Sequence, residues 1–207
     1  GMVVVIFVLP LQKLINDNLA DQASITLGVF IPLIIYLVWA GIEEVFKYVA
    51  AYVGGLRNKT MDEPIDAVIY MITAALGFAA IENTIYIASI LFDTEKSTAD
   101  IIVDSIVTGN LRFVGASLLH VLSSAVVGVF IAISFYKDRA TKILYVVFGL
   151  ILAIALHTTY NLSIIDASEN DALITFSVLW ILILGLLFFL EKVKRLKPSG
   201  QADQNNF

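Results

Sequence analysis

The stretch LRFVGASLLHVLSSAVVGVFIAISFY, residues 111–136, decides the fold. It is long enough to cross a bilayer as a helix, which takes roughly 20 apolar residues. It does not alternate as a membrane strand would. Arg112 nevertheless stands near its start and His120 inside it, with Ser123 and Ser124 one turn on. An ionisable group at bilayer depth costs at least about 2.5–3.5 kcal/mol on insertion scales, so it normally marks function.

Other apolar segments lie at about 2–15, 25–54, 64–92, 143–164 and 172–191. The 207 residues are 59% hydrophobic with a mean hydropathy of +0.89. Soluble domains run nearer about 45–50% apolar. The expectation is an all-α, polytopic transmembrane helical bundle of about six segments. It forms one domain over 1–197, followed by a polar, disordered tail over 198–207.

Segment one is weak because it carries Pro10, Gln12 and Lys13; it is a short or tilted span, or an interfacial helix. Segment two is too long for a straight span. Pro32 is read as the division, which leaves a span from about Pro32 to Gly55. Gly54-Gly55 should end it, and Asp62-Glu63-Pro64 should open segment three. Residues 97–107 place Asp100, Asp104 and Thr108 on one face, with Ile102, Ile106 and Val107 mostly opposite. That pattern predicts an amphipathic helix lying on the membrane. No internal repeat supports an inverted-repeat transporter.

Charge sets an expected orientation. The loops with Arg57 and Lys59 and with Lys137, Arg139 and Lys142 are basic, as is the stretch with Lys192, Lys194, Arg195 and Lys197. The loops with Asp93, Glu95, Asp100 and Asp104, and with Asp166, Glu169 and Asp171, are acidic. The positive-inside rule puts the basic ends and the C-terminus in the cytoplasm of a multi-pass plasma-membrane protein. Net charge is −5, and no basic footprint for nucleic acid is present. The absence of cysteine excludes disulfides, thiolate metal sites and cysteine nucleophiles. The opening MVVVIFVLPLQKL lacks a basic n-region and a small-residue cleavage site, so no cleavable signal peptide is expected.

The remaining chemistry sits inside the apolar segments. Segment two holds Glu43, Glu44 and Lys47. The two glutamates diverge by about 100° on a helix, so one pairs with Lys47 and the other is free. The order Glu at i and Lys at i+4 favours Glu43 as the partner and Glu44 as the base. The bland reading is a charge cluster that snorkels to headgroups. Segment three holds Glu82 among small residues, either as a protonated hydrogen-bond donor or as a metal ligand. Segment five holds His157, with Asn161 one turn later. His120 and His157 are the chain's only histidines. A lone buried histidine is more often a satisfied core residue. Two of them with three buried carboxylates point to a site.

Zinc catalysis typically takes three N/O ligands and an open position for water. His120, His157 and Glu82 match that inventory, with a further glutamate as general base and Asn161 or Arg112 to stabilise an oxyanion. A zinc-free alternative has a glutamate activating water directly while histidine orients it. Counted from segment ends, Glu82, His120 and His157 all fall about 5–6 Å outside the midplane, at one level.

EEVFK at 43–47, FAAIEN at 78–83, the Arg112…His120 stretch and HTTYN at 157–161 resemble the PrsW family of intramembrane proteases, which is related to the type II CAAX prenyl proteases. The resemblance covers roughly residues 35–165, with four short motifs in order. It implies an all-helical membrane protease that cleaves membrane-anchored, single-span partners. A bacterial member makes the first cut in an anti-sigma factor on the extracytoplasmic side. In the CAAX proteases histidine stands where Glu82 stands here, which argues against prenylated substrates. Two other readings compete with an intramembrane endopeptidase. One is a proton- or ion-coupled transporter, since buried Glu and His chains also relay protons. The other is a structural membrane subunit whose polar residues hold helices together.

Overall fold

The computed structural model describes residues 1–20, 30–94, 96–165 and 167–197. The expected tail from Pro198 lies outside these residues, as do 25–29, Glu95 and Asp166. A short 3-10 turn, Met2–Val4, leads into α1 (Val5–Ala20). There follow α2 (Ile31–Ala51) with a π-helical end at Tyr52–Leu56, α3 (Pro64–Leu91), α4 (Thr98–Val114), α5 (Ala116–Ile133), α6 (Arg139–Ile164) and α7 (Glu169–Val193). Among the described residues there is no strand.

Local sequence explains the helix starts. Pro32 sits in the first turn of α2, where a missing N–H costs nothing. Glu63 and Asp66 form a reciprocal capping box around Pro64 at the head of α3. Ser97, Asp138 and Ser168 accept backbone N–H bonds at the starts of α4, α6 and α7. The expected stop at Gly54-Gly55 takes the form of the π-helical turn, which carries the helix to Leu56.

Packing is built on small residues. Helices α3 and α5 lie against each other along their length, with Ala67, Ala75, Ala125 and Ala132 fully buried. A Cβ on Gly128 would stand 2.6 Å from the Val68 Cα, so only glycine permits this approach. In lipid, where apolar burial between helices adds little, such close contact supplies the attraction. Helix α6 packs on α5 and α2, and α7 covers α5. Helix α1 rests on α2 and α3 through Val5 and Val8, which bury Phe78.

Among the described residues, four stretches are long and apolar enough to cross a membrane: Pro64–Leu91, Thr98–Ile133, Arg139–Ile164 and Asn170–Val193. On α7, Leu173, Ile174, Ile181 and Phe188 all face outward. An outward apolar face of that extent is what lipid covers. Helix α2 has the length, 21 residues, but carries Glu43, Glu44 and Lys47. All three are buried in the bundle, while its outward residues, Leu33, Ile34, Leu37 and Val49, are apolar.

The fourth segment departs from the sequence reading. It was expected to run unbroken from residue 111, but the helix divides at Gly115, so Arg112 ends α4 and His120 belongs to α5. Only glycine fits at that point: the Tyr160 hydroxyl and the Phe176 ring occupy the place a Cβ at 115 would take. Residues 98–107 are helical as expected, within α4 and capped by Ser97, and no residue of α4 is buried. A Gly128→Val protein should lose about 1–3 kcal/mol of stability through overpacking between α3 and α5. Thermal unfolding in detergent micelles measures this, and an unchanged melting temperature would contradict the close approach.

Candidate active site

Lys47 stands at the centre of the bundle with 0% exposure. Its Nζ donates to Glu44 Oε1 at 2.5 Å and lies 3.1 Å from His120 Nδ1. The remaining contacts of Glu44 are equally enclosed. Ser123 Oγ donates to its Oε1 at 2.8 Å and Ser124 Oγ to its Oε2 at 3.5 Å. His157 Nδ1 approaches Oε1 at 2.8 Å. A carboxylate accepts, so Nδ1 is the donor of this pair, and Nε2 is left facing Glu43.

Expectation and structure differ here: Lys47 pairs with Glu44, at i+3, and not with Glu43. The i,i+4 preference is worth only about 0.2–0.5 kcal/mol on an exposed helix. It yields to the buried donors Ser123, Ser124 and His157, which all lie on the Glu44 side.

Glu43 turns instead into a cavity of about 350 Å³ that Glu82, Arg112, His120, His157 and Asn161 also line. Gln12 Nε2 donates to Glu43 Oε1 at 2.8 Å. The other oxygen, Oε2, is buried with no hydrogen-bond partner among the described residues. It lies 3.6 Å from His157 Nε2 and 4.0 Å from His120 Nδ1. A buried carboxylate oxygen without a donor thus faces imidazole nitrogens across a gap, an arrangement that calls for a proton, a water or a cation there.

Glu82 occupies a different place from the one expected. Its Oε2 accepts from Arg112 Nη2 at 2.9 Å and stands 2.9 Å from His120 Nε2. Arg112 Nε also donates to Asn83 Oδ1 at 2.9 Å, and its guanidinium lies 3.9 Å above the Tyr86 ring. Two of the guanidinium donors of Arg112 are thus engaged by α3, while the residue also lines the cavity. Asn161 lines the cavity and its side chain makes no hydrogen bond among the described residues.

The donor set that converges within 4.8 Å is Glu43, His120 and His157, with Glu43 standing where Glu82 was expected. One carboxylate and two imidazoles suit a zinc-type divalent ion. The Glu44–His157 pair has the form of the carboxylate–histidine contacts that support metal ligands. His120 is the less ready donor, since Lys47 and Glu82 engage both of its ring nitrogens. It must release one of them to ligate.

Several participants were not legible as such. Ser123 and Ser124 were visible as polar residues on the His120 face without an assigned role. Tyr86 follows Glu82 by one turn, and that spacing was the available signal. Gln12 counted in the sequence only as a weakness of segment one; no local pattern connects it with Glu43, 31 residues away.

Glu44→Gln should destabilise the protein by about 3–5 kcal/mol, the cost of leaving a buried charge without its partner. Glu43→Gln should cost far less, since one oxygen keeps its Gln12 contact and the other has no bond to lose. Parallel thermal melts of the two variants test this, and equal losses would contradict the division of roles.

The family described as "PrsW family intramembrane metalloprotease" matches the chain over residues 1–189. Protease PrsW of Shouchella clausii (strain KSM-K16) is 27% identical over 155 residues. That alignment covers 73% of this chain and 65% of the relative, so the chain spans about two thirds of the relative's length. No solved structure matches the chain significantly. The motif residues of segments two to five meet at one buried site within the matched region, and the chain belongs to the PrsW family of intramembrane metalloproteases.

Proposed function

We propose that the protein is an intramembrane endopeptidase that hydrolyses a peptide bond of a single-span, membrane-anchored protein. The observation that carries this reading is Glu43 Oε2, a buried carboxylate oxygen without a hydrogen bond, 3.6 Å from His157 Nε2 at the wall of a polar cavity. A water between those atoms would be held by the imidazole and lose its proton to Glu43. Gln12 fixes the carboxylate, and Glu44 fixes the imidazole through Nδ1. Asn161 contributes an amide N–H to the developing oxyanion. Glu82 and Arg112 hold the cavity mouth and orient His120. This moves the base from Glu44, favoured by helix spacing, to Glu43.

Glu43, His120 and His157 are the residues that would hold a divalent ion, zinc being the first choice. Such an ion supplies Lewis acidity towards water and the scissile carbonyl. Glu43 would then be a donor to it, and Glu82 is the other carboxylate that lines the cavity.

The proposed topology has α1, α2, α3, α5, α6 and α7 as six membrane segments, with α4 at the interface. The alternation of basic and acidic loops supports a cytoplasmic C-terminus in the plasma membrane. The site then lies in the outer half of the bilayer, and the cut falls near the extracytoplasmic end of the substrate helix, as in the first cleavage of an anti-sigma factor. The substrate must unwind locally there, because an intact helix hides its carbonyls.

Cleavage of a single-span substrate by the purified protein tests the reading. Glu43→Gln should lower the rate by about 10²–10⁴-fold with an unchanged melting temperature. A Glu43→Gln protein that cleaves at the wild-type rate would end the proposal. Elemental analysis of protein purified without chelators reports on the ion. Stoichiometric zinc that disappears in His157→Ala supports the ion-bound form, and full activity without metal leaves Glu43 as sole acceptor. Mass spectrometry of the fragments locates the cut, and sites confined to the cytoplasmic side would overturn the proposed topology.

A further inference from the structure

A second cavity, of about 480 Å³, opens at the basic end of the bundle, between the end of α2, the end of α5 and the start of α6. Lys142 precedes His157 by fifteen residues on α6, about 22 Å along the helix, so this cavity is separate from the catalytic one. We propose that it binds the headgroup of an anionic phospholipid.

Charge carries the argument. Arg139 and Lys142 line the cavity, and no acidic residue does. Neither cation forms an ion pair among the described residues. Asp138, the neighbouring carboxylate, is spent on the α6 cap: it accepts from the backbone N–H of Ala140 and Thr141, each at 3.0 Å, and from Thr141 Oγ1 at 2.6 Å. The Lys142 ammonium lies 5.7 Å from the Phe135 ring centroid, on the cavity wall. Tyr48, Tyr52 and Asn58 add polar groups to the lining.

A phosphodiester fits two unpaired cations, the arginine taking it in a forked contact. A zwitterionic lipid would bring an ammonium as well, and the lining offers that ammonium no carboxylate. A free phosphate would leave the rest of the cavity unused. Below the cations the wall is apolar, with Ile143 and Val147, and it continues into the exposed apolar faces of α2 and α6. Acyl chains run along such a surface. Paired basic residues at the membrane edge of a helix bundle are a common basis for anionic lipid recognition. The proposal rests on the bundle lying in a membrane and is independent of the protease reading.

Native mass spectrometry of the full chain in detergent, with phosphatidylglycerol and phosphatidylcholine in equal amounts, tests it. The wild type should retain phosphatidylglycerol in roughly tenfold or greater excess, as two cations each favouring an anionic headgroup would give. The preference should vanish in Arg139→Gln/Lys142→Gln and persist in Lys192→Gln/Arg195→Gln, which removes charge elsewhere on the same end. If the first double variant misfolds, Val146→Trp fills the cavity with the charges intact and should also abolish the preference. No preference in the wild type, a preference that survives both cavity variants, or displacement of the lipid by inorganic phosphate alone would overturn the proposal.

Discussion

A lysine ammonium at the centre of a helical bundle has to be paired, and the arrangement around Lys47 follows from that requirement. Its partner is Glu44, one helical turn away, and the pair is sealed from solvent. Glu44 then becomes the acceptor for Ser123, Ser124 and His157, three donors from α5 and α6. One carboxylate therefore ties three helices together and fixes which nitrogen of His157 faces the cavity. Because neighbouring residues diverge by about 100° on a helix, committing Glu44 to the core turns Glu43 towards the cavity. A position in the core and a position facing the cavity are thus divided between adjacent residues of the same type.

Charge around the site is left deliberately open by this division. Glu43, Glu44 and Glu82 face only Lys47 and Arg112 as fixed cations. One carboxyl has no cationic side-chain partner among the described residues, and the orphaned Glu43 oxygen is where that shows. A proton, a water network or a divalent ion would each satisfy it. Unsatisfied polar atoms are few in folded proteins and collect where chemistry is done. At the other end of the bundle, Arg139 and Lys142 form no ion pair among the described residues and stand above an apolar wall.

The frame that holds these groups depends on small side chains. Alanines and glycines between α3 and α5 let the backbones approach closely, which brings Glu82 and His120 within hydrogen-bonding distance across the interface. Bulkier residues would separate the helices and move the site apart. Around this tight centre, α7 and the outer faces of α2 and α6 are apolar and face outward. The bundle thus encloses a small polar cluster within an apolar frame and presents an apolar exterior.

The sequence alone determined the class of the protein and most of the membership of its site. Long apolar runs demand helices in a bilayer, and ionisable residues inside them are too costly to be incidental, so Glu43, Glu44, Glu82, His120 and His157 were identifiable one by one. Helix starts at Pro32, Pro64 and Ser97 were legible because capping is local chemistry. Tertiary structure alone decided the roles. Which glutamate meets Lys47, that Glu82 sits with Arg112, that Gln12 reaches Glu43, and that Tyr160 crowds Gly115 where the fourth segment breaks all depend on residues far apart in the chain. Local spacing sets preferences of a few tenths of a kcal/mol. Satisfying buried charges and avoiding backbone clashes involves several kcal/mol, so the long-range contacts prevail.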